Sequence, residues 1–388
     1  MPRPPLRVAD VFRAHWQSYR AVHPVAAHPA RVVRHILTCR TAALGGHLWR
    51  CDTCAQEVPL YNSCQDRHCP TCQTLRKLQW LRARQAEILP APYFHVVFTL
   101  PHALNPLLGA NPRRLLDELF ASANWVLQHF AADPQWKLCG QLGFLAVLHT
   151  WTQKLLPHYH LHCLVPGGAW DGQTWRPAHR AFLFAKDALA KAFQARFLRR
   201  LQILRRSGQL QYSGASAGLG EPTAWQALID RLWQVPWIVY PKATARNPAQ
   251  ALDYLARYTH RVAIGDHRLL ALQDGQVTFA WRDRADGNQL KHCTLPAEQF
   301  LGRFLLHILP HGFAKVRTFG WLSAGNKTVA LQAIRAALGV VPPPPPAPET
   351  PAERILHLTG IDVTRCPFCA QGHLHYLTPL PRARDGPA

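Results

Sequence analysis

The chain has 388 residues, 48% of them hydrophobic and 17% charged, which gives room for two or three domains and too much apolar content for a disordered polymer. Its formal charge is +22, and only nine of its 44 cations are lysine, so a polyanionic partner is expected; GC-rich coding explains part of the arginine excess but not the net charge. No apolar run approaches the ~18 residues of a membrane span, and Met1-Pro2-Arg3-Pro4-Pro5 is not followed by a signal-peptide core, so no membrane partner and a cytoplasmic, nucleoid-associated location are expected.

Apolar residues at helical spacing (Val11, Phe12, Trp16, Tyr19) predict one or two short amphipathic helices over residues 8–37. Six of the eleven cysteines then fall between Cys39 and Cys72, and in a cytosolic chain such clusters read as metal ligands rather than disulfides. Cys51-x-x-Cys54 and Cys69-x-x-Cys72 are fourteen residues apart, the layout of a ribbon in which two turns offer four thiolates to one structural zinc. Cys39, His47, Cys64 and His68 lie in the same stretch and could make a second zinc site. Alternatively, the two histidines are hydrogen-bonded or face DNA and the thiols are merely packed. Cys139, Cys163 and Cys293, which stand alone, read as buried unreactive thiols.

Residues 73–89 contain no Gly or Pro and predict a basic helix stopped by Pro90 and Pro92. Tyr93-Phe94-His95-Val96-Val97-Phe98-Thr99-Leu100 reads as a buried strand, 112–131 as a helix and 143–151 as a strand. A polar turn at 152–157 leads into Pro157-His158-Tyr159-His160-Leu161-His162-Cys163-Leu164-Val165, so a hairpin is expected. Side chains alternate along a strand, so His160 and His162 share one face while Leu161, Cys163 and Val165 take the other. Two imidazoles on one face of a buried strand can hold a divalent metal. The third ligand is either His149, which a hairpin centred near residue 154 sets opposite His160, or His158. His158 shares the face, but its Cα lies ~13 Å from that of His162 along an extended strand.

Residues 186–206 predict a basic helix, 213–220 a Gly/Ser-rich loop and 237–240 a strand. Asn247-Pro248 supplies the cap and first turn of a helix on which Tyr254 and Tyr258, four apart, share a face. Residues 261–295 read as strands and turns, with Asp274-Gly275 as a hairpin signal, and 300–309 as a helix. The prolines at 342–346 make a stiff linker. The segment beyond them carries Cys366-Pro367-Phe368-Cys369 with His373 and His375, the composition of another small metal site.

The order His160-Leu161-His162, then Tyr254-Leu255-Ala256-Arg257-Tyr258, resembles the HUH endonuclease superfamily, and within it the two-tyrosine rolling-circle transposases of insertion sequences. The likeness extends to Cys39-Arg40-Thr41-Ala42-Ala43-Leu44-Gly45-Gly46-His47, to Arg67-His68-Cys69-Pro70 and to Phe304-Leu305-Leu306-His307-Ile308-Leu309-Pro310, and so covers roughly residues 30–325. It implies an α+β fold, an antiparallel ferredoxin- or RRM-like nuclease sheet preceded by a small zinc-ribbon-like domain. It also implies cleavage and rejoining of single-stranded DNA at transposon ends, and joining to target DNA, through a 5′-phosphotyrosyl intermediate. Tyr254 and Tyr258 would attack, Arg257 would hold a flanking phosphate, and Mg or Mn would sit on the histidines. The histidine spacing is also similar to that of conjugative relaxases, which favours His149 as third ligand. The expected organisation is a helical and zinc-binding domain at 1–90, a catalytic domain at 91–340, a linker at 341–352 and a tail at 353–388. The rivals are a plasmid replication initiator or relaxase, a non-enzymatic zinc-dependent DNA-binding regulator, and a metallohydrolase using activated water.

Overall fold

The computed structural model of the chain describes residues 6–178, 183–244, 252, 263–283, 285–341 and 347–383. Asn247-Pro248, Tyr254, Arg257, Tyr258 and the 342–346 proline tract lie outside the described residues. In chain order come α1 (Val8–Val22), α2 (Ala27–Thr38), β1 (Gly46–Cys51), β2 (Glu57–Tyr61), α3 (Thr74–Gln85), β3 (Tyr93–Thr99), α4 (Asn105–Ala110) and α5 (Pro112–Ala132). The chain continues through β4 (Phe144–Trp151), β5 (Pro157–Pro166), β6 (Gly168–Trp170), β7 (Trp175–Pro177), α6 (Lys186–Arg206), α7 (Pro222–Gln234) and β8 (Ile238–Ala243). It closes with β9 (Leu269–Gln273), β10 (Gln276–Asp283), β11 (Gln289–Pro296), α8 (Ala297–Leu305), β12 (Val316–Phe319), α9 (Lys327–Ala337), α10 (Pro351–Thr359) and β13 (Leu374–Leu380).

The fold is α+β. Among the described residues its largest sheet has five antiparallel strands in the order β12-β4-β5-β3-β8. Strand alternation sorts the side chains of this sheet. Phe94, Val96, Phe98, Phe144, Leu148, Leu161, Cys163 and Val165 point to the face covered by α5 and α6, where they form the main core. Helix α5 meets them with Leu115, Leu119, Ala123, Val126 and Phe130, a stripe at helical spacing. Each such side chain taken from water contributes on the order of 1.5–3 kcal/mol. The opposite face carries Tyr93, Leu145, Val147 and Leu164, packed by Trp80 and Leu81 of α3 and by Leu252. The histidines of β4 and β5 lie on this second face.

A second core joins α1 and α2 to α8 and the β9-β10-β11 sheet. Phe12 meets Phe304 edge-on at 5.4 Å. The buried Asp266 accepts the Val8 N–H and the Thr71 hydroxyl, both at 3.0 Å. The core around α1 and α2 is therefore shared with later parts of the chain. The apolar face of α1 (Val8, Val11, Phe12) is covered only with the help of the chain beyond residue 263. Asp274 and Gly275, both at positive φ (47° and 71°), make the tight turn between β9 and β10 that the Asp-Gly pair predicts.

The third sheet has the order β13-β1-β2. The segment after the linker is thus no separate tail, because β13 pairs with β1 from Gly46↔Leu380 to Cys51↔Leu374. Cys163 is buried, but Cys139 is exposed and Cys293 only half-buried, which corrects the expectation for two of the three isolated thiols. Among the described residues no helix is long and apolar enough to cross a membrane.

Candidate active site and cysteine clusters

Strands β4 and β5 form a hairpin whose register pairs His149 with His160 and Val147 with His162. His149, His160 and His162 are all buried, and one ring nitrogen from each lies within 4.8 Å of the others. His149 Nδ1 and His160 Nε2 are 2.9 Å apart. Burial, and then the neighbouring His160 and His162, hold His149 well below its ordinary pKa, so this ring is neutral at pH 7 and keeps a lone pair for a metal.

His158 does not join the group. It lies nearer the strand end, and its Nδ1 is 2.9 Å from His102 Nε2. A histidine not singled out from the sequence does touch the group: His95, on the neighbouring strand β3, stacks on His162 with Nε2 2.8 Å from His162 Nδ1. Burial, and then Lys242, bring His95 down to about 4. The signal was present in the sequence, since His95 interrupts an otherwise apolar strand. His307 braces the hairpin from behind, with Nδ1 3.2 Å from the Thr150 hydroxyl and Nε2 3.1 Å from the Leu155 carbonyl. The buried Lys315 ammonium sits 4.8 Å from the Trp151 ring centre, and burial, with Arg67 adding, pushes it down to about 7.

The histidines form the floor of a cleft of about 1030 Å³. Its walls bring in Lys77 from α3, Lys154 from the hairpin turn, and Arg268 and Arg282 from the β9–β10 region. Arg268 is anchored to the turn by donating to the Gln153 carbonyl at 2.6 Å. The Lys154 ammonium lies 4.0 Å over the Trp281 ring. A floor of imidazoles under cationic walls suits a phosphodiester chain. Tyr254, Tyr258 and Arg257 lie outside the described residues.

The cysteines group differently from the spacing-based expectation. Cys69 and Cys72 meet Cys39 and Cys64, while Cys51 and Cys54 meet Cys366 and Cys369. The fourteen residues between the two Cys-x-x-Cys pairs include the return strand of the β1–β2 hairpin. Cys51 and Cys54 sit at the hairpin tip, beyond Arg50↔Glu57, and the other pair lies past its base at Gly46↔Tyr61. Five residues of strand, roughly 17 Å, separate the two ends.

His47 and His68 lie outside both cysteine groups. The His47 ring meets Tyr376 edge-on at 5.8 Å. His68 uses both nitrogens elsewhere, Nδ1 at 2.9 Å from Asp66 and Nε2 accepting the Leu309 N–H at 3.2 Å. His375 likewise turns to Asp52, at 3.3 Å. A tetrahedral zinc with ~2.3 Å bonds needs sulfurs ~3.8 Å apart, and the Cys64 and Cys72 sulfurs are 3.7 Å apart. Hydrogen bonds from Cys39, Cys64 and Cys69 hold the Cys72 thiol far below its ordinary value, while contacts within the same cluster push Cys64 and Cys69 up, so the four thiols share their protons as one group.

Residues 143–329 match the sequence profile of the family described as "Putative transposase", and residues 11–100 match that of the transposase zinc-binding domain. The chain is 41% identical to "Putative transposase y4qJ" of Sinorhizobium fredii over 96% of its own length and 95% of the relative's. It is 29% identical to the transposase for insertion sequence element IS801 of Pseudomonas savastanoi pv. phaseolicola, over 87% of this chain and 80% of that one. No solved structure matches it.

Proposed function

The chain belongs to the two-tyrosine rolling-circle transposases of insertion sequences, with an N-terminal transposase zinc-binding domain, and we propose that it cuts and rejoins single-stranded DNA at element ends through a 5′-phosphotyrosyl intermediate. The observation that carries this reading is the convergence of three buried imidazoles beneath a cleft with cationic walls.

Mg²⁺ or Mn²⁺ on His149, His160 and His162 would supply Lewis-acid polarisation of a non-bridging phosphate oxygen. An all-imidazole donor set favours Mn²⁺ over Mg²⁺, which prefers oxygen ligands. Lys77, Lys154 and Arg282 hold the flanking backbone by charge, and Arg257 takes a phosphate next to the scissile one. The phenol oxygen of Tyr254 or Tyr258 forms the new bond to phosphorus while its proton is lost. The 3′ oxygen leaves and takes up a proton, giving a free 3′-hydroxyl and a DNA 5′ end held on the protein. The second tyrosine then accepts another end without release of the first, which is what rejoining requires.

Cys39, Cys64, Cys69 and Cys72 hold a structural zinc whose apparent binding energy, on the order of 10 kcal/mol or more, supports folding of the segment around it. The +22 charge keeps the protein on nucleic acid, at the nucleoid.

The test is incubation of the full-length protein with labelled single-stranded element ends and Mn²⁺. A protein–DNA species that survives denaturation is expected. Cleaved DNA without an adduct would instead indicate hydrolysis by activated water, and bound but uncut DNA a regulator.

A further inference from the structure

Cys51 and Cys54, at the tip of the β1–β2 hairpin, meet Cys366 and Cys369 from the far end of the chain. The Cys51 and Cys369 sulfurs are 3.7 Å apart, as are those of Cys54 and Cys366. These are the edges of the same ~3.8 Å tetrahedron that zinc–thiolate bonds define.

The two Cys-x-x-Cys loops are copies of one turn. In each, the carbonyl of the first cysteine accepts an N–H from the residue four positions on, Ala55 to Cys51 and Ala370 to Cys366, both at 3.1 Å. Ala55 and Ala370 are both left-handed, with φ of 56° and 57°. Backbone N–H groups point at the sulfurs, from Thr53 and Cys54 to Cys51 (3.4 and 3.5 Å), from Phe368 to Cys366 (3.4 Å) and from Gly372 to Cys369 (3.4 Å). Donors aimed at sulfur favour the thiolate over the thiol. The loops close on each other tightly, because a Cβ on Gly372 would lie 2.5 Å from the Cys51 sulfur. Asp52 locks the approach, accepting the His373 N–H at 2.9 Å and donating its own N–H to the His373 carbonyl at 3.1 Å. Cys54 is exposed, so burial of an apolar thiol does not explain the arrangement.

We propose that Cys51, Cys54, Cys366 and Cys369 bind one zinc ion in a tetrathiolate site built from both ends of the chain. Each loop supplies two thiolates, and neither completes a site alone. The segment after the linker is then a part of the zinc-binding module, although Cys366 and Cys369 lie outside both matched regions. On its way it crosses α3, where Arg82 donates to both oxygens of Glu349 at 2.8 and 3.0 Å. The ion thereby fixes a strap over the helix that carries Lys77 into the cleft.

The proposal is tested on the full-length, zinc-loaded protein by stepwise chelation, alkylation of the thiols freed at each step, and peptide mass spectrometry. Cys51, Cys54, Cys366 and Cys369 should be protected before chelation and become labelled together, at one chelator midpoint. Labelling of Cys366 and Cys369 without chelator, or at a midpoint apart from that of Cys51 and Cys54, overturns it. Zinc stoichiometry gives a second, independent reading. Cys51→Ser/Cys54→Ser and Cys366→Ser/Cys369→Ser should each remove one equivalent, and the fourfold variant should also remove one. Loss of two equivalents in the fourfold variant, or none in the C-terminal one, contradicts a shared ion. Zinc retained on the Cys39 cluster reports that the variants still fold.

Discussion

His149 Nδ1 lies 2.9 Å from His160 Nε2 across directly paired residues of β4 and β5, whereas His158, two residues before His160, has turned to His102 at the same distance. Substitution should separate the two. His149→Ala is expected to lower covalent adduct formation by more than about 100-fold, beyond what loss of an outer partner of a metal ligand costs. His158→Ala should stay within a few-fold of wild type. Single-stranded DNA affinity should change little in either, because charge spread over the chain supplies it. A fully active His149→Ala protein beside an inactive His158→Ala protein would move the third ligand to His158.

His95 lies against His162, 2.8 Å away, and is assigned the part of a positioning residue. His95→Phe should weaken the metal dependence of cleavage by roughly 10–100-fold, the usual cost of losing a partner that orients a ligating imidazole. Excess Mn²⁺ should recover much of the maximal rate, and His95→Gln, which keeps a hydrogen-bonding side chain, should be milder. A His95→Phe enzyme with an unchanged metal midpoint would show the stacking to be packing alone.

The facing of the histidines was legible in the sequence because strand alternation and a short hairpin are local properties. Residues 144–166 need only a period of two and a turn to set His149 opposite His160. The cysteine partners were not legible, because spacing counts residues without recording that the chain doubles back between Cys54 and Cys69. Nothing near Cys51 signals a partner more than 300 residues away. His68 looked like a ligand by composition, yet Asp66, two residues before it, and the Leu309 N–H occupy both its nitrogens. His95 was passed over because a single histidine in an apolar strand has no partner in its own segment. The α1 face likewise gives no sign that its cover comes from β9–β11 and α8.

Glu349 gives a pH signature. Hydrogen bonds from Arg82, and then from His357, hold its carboxyl down to about 2, below the ordinary value near 4.3. A lowered carboxylate pKa stabilises the fold fully above the unfolded value, and the effect disappears as pH falls toward 2. Glu349→Gln should therefore loosen the 347–383 segment at about pH 6, seen as faster proteolysis there. Its difference from wild type should shrink as the pH is lowered through the 4-to-2 range. A difference independent of pH would rule the ion pair out as its source.

Gly320 precedes the buried Trp321 with φ of +60°, and a Cβ there would overlap the Leu142 carbonyl oxygen. Gly320→Ala should destabilise by more than about 1 kcal/mol through strain and displacement of β4 from β12. A melting temperature equal to wild type would show that this corner can shift freely.

The central claim is that Tyr254 and Tyr258 are the nucleophiles, and the most direct measurement is adduct formation by the Tyr254→Phe/Tyr258→Phe protein. Phenylalanine keeps the aromatic ring and removes only the hydroxyl. With labelled single-stranded element ends and Mn²⁺, the double variant should form no denaturation-resistant adduct. It should still bind the DNA with the steep salt dependence of a highly basic protein. Each single variant should be impaired in complete strand transfer, while at least one still nicks through the remaining phenol. A covalent protein–DNA species of wild-type yield in the double variant would contradict the account, because some other side chain would then be the nucleophile.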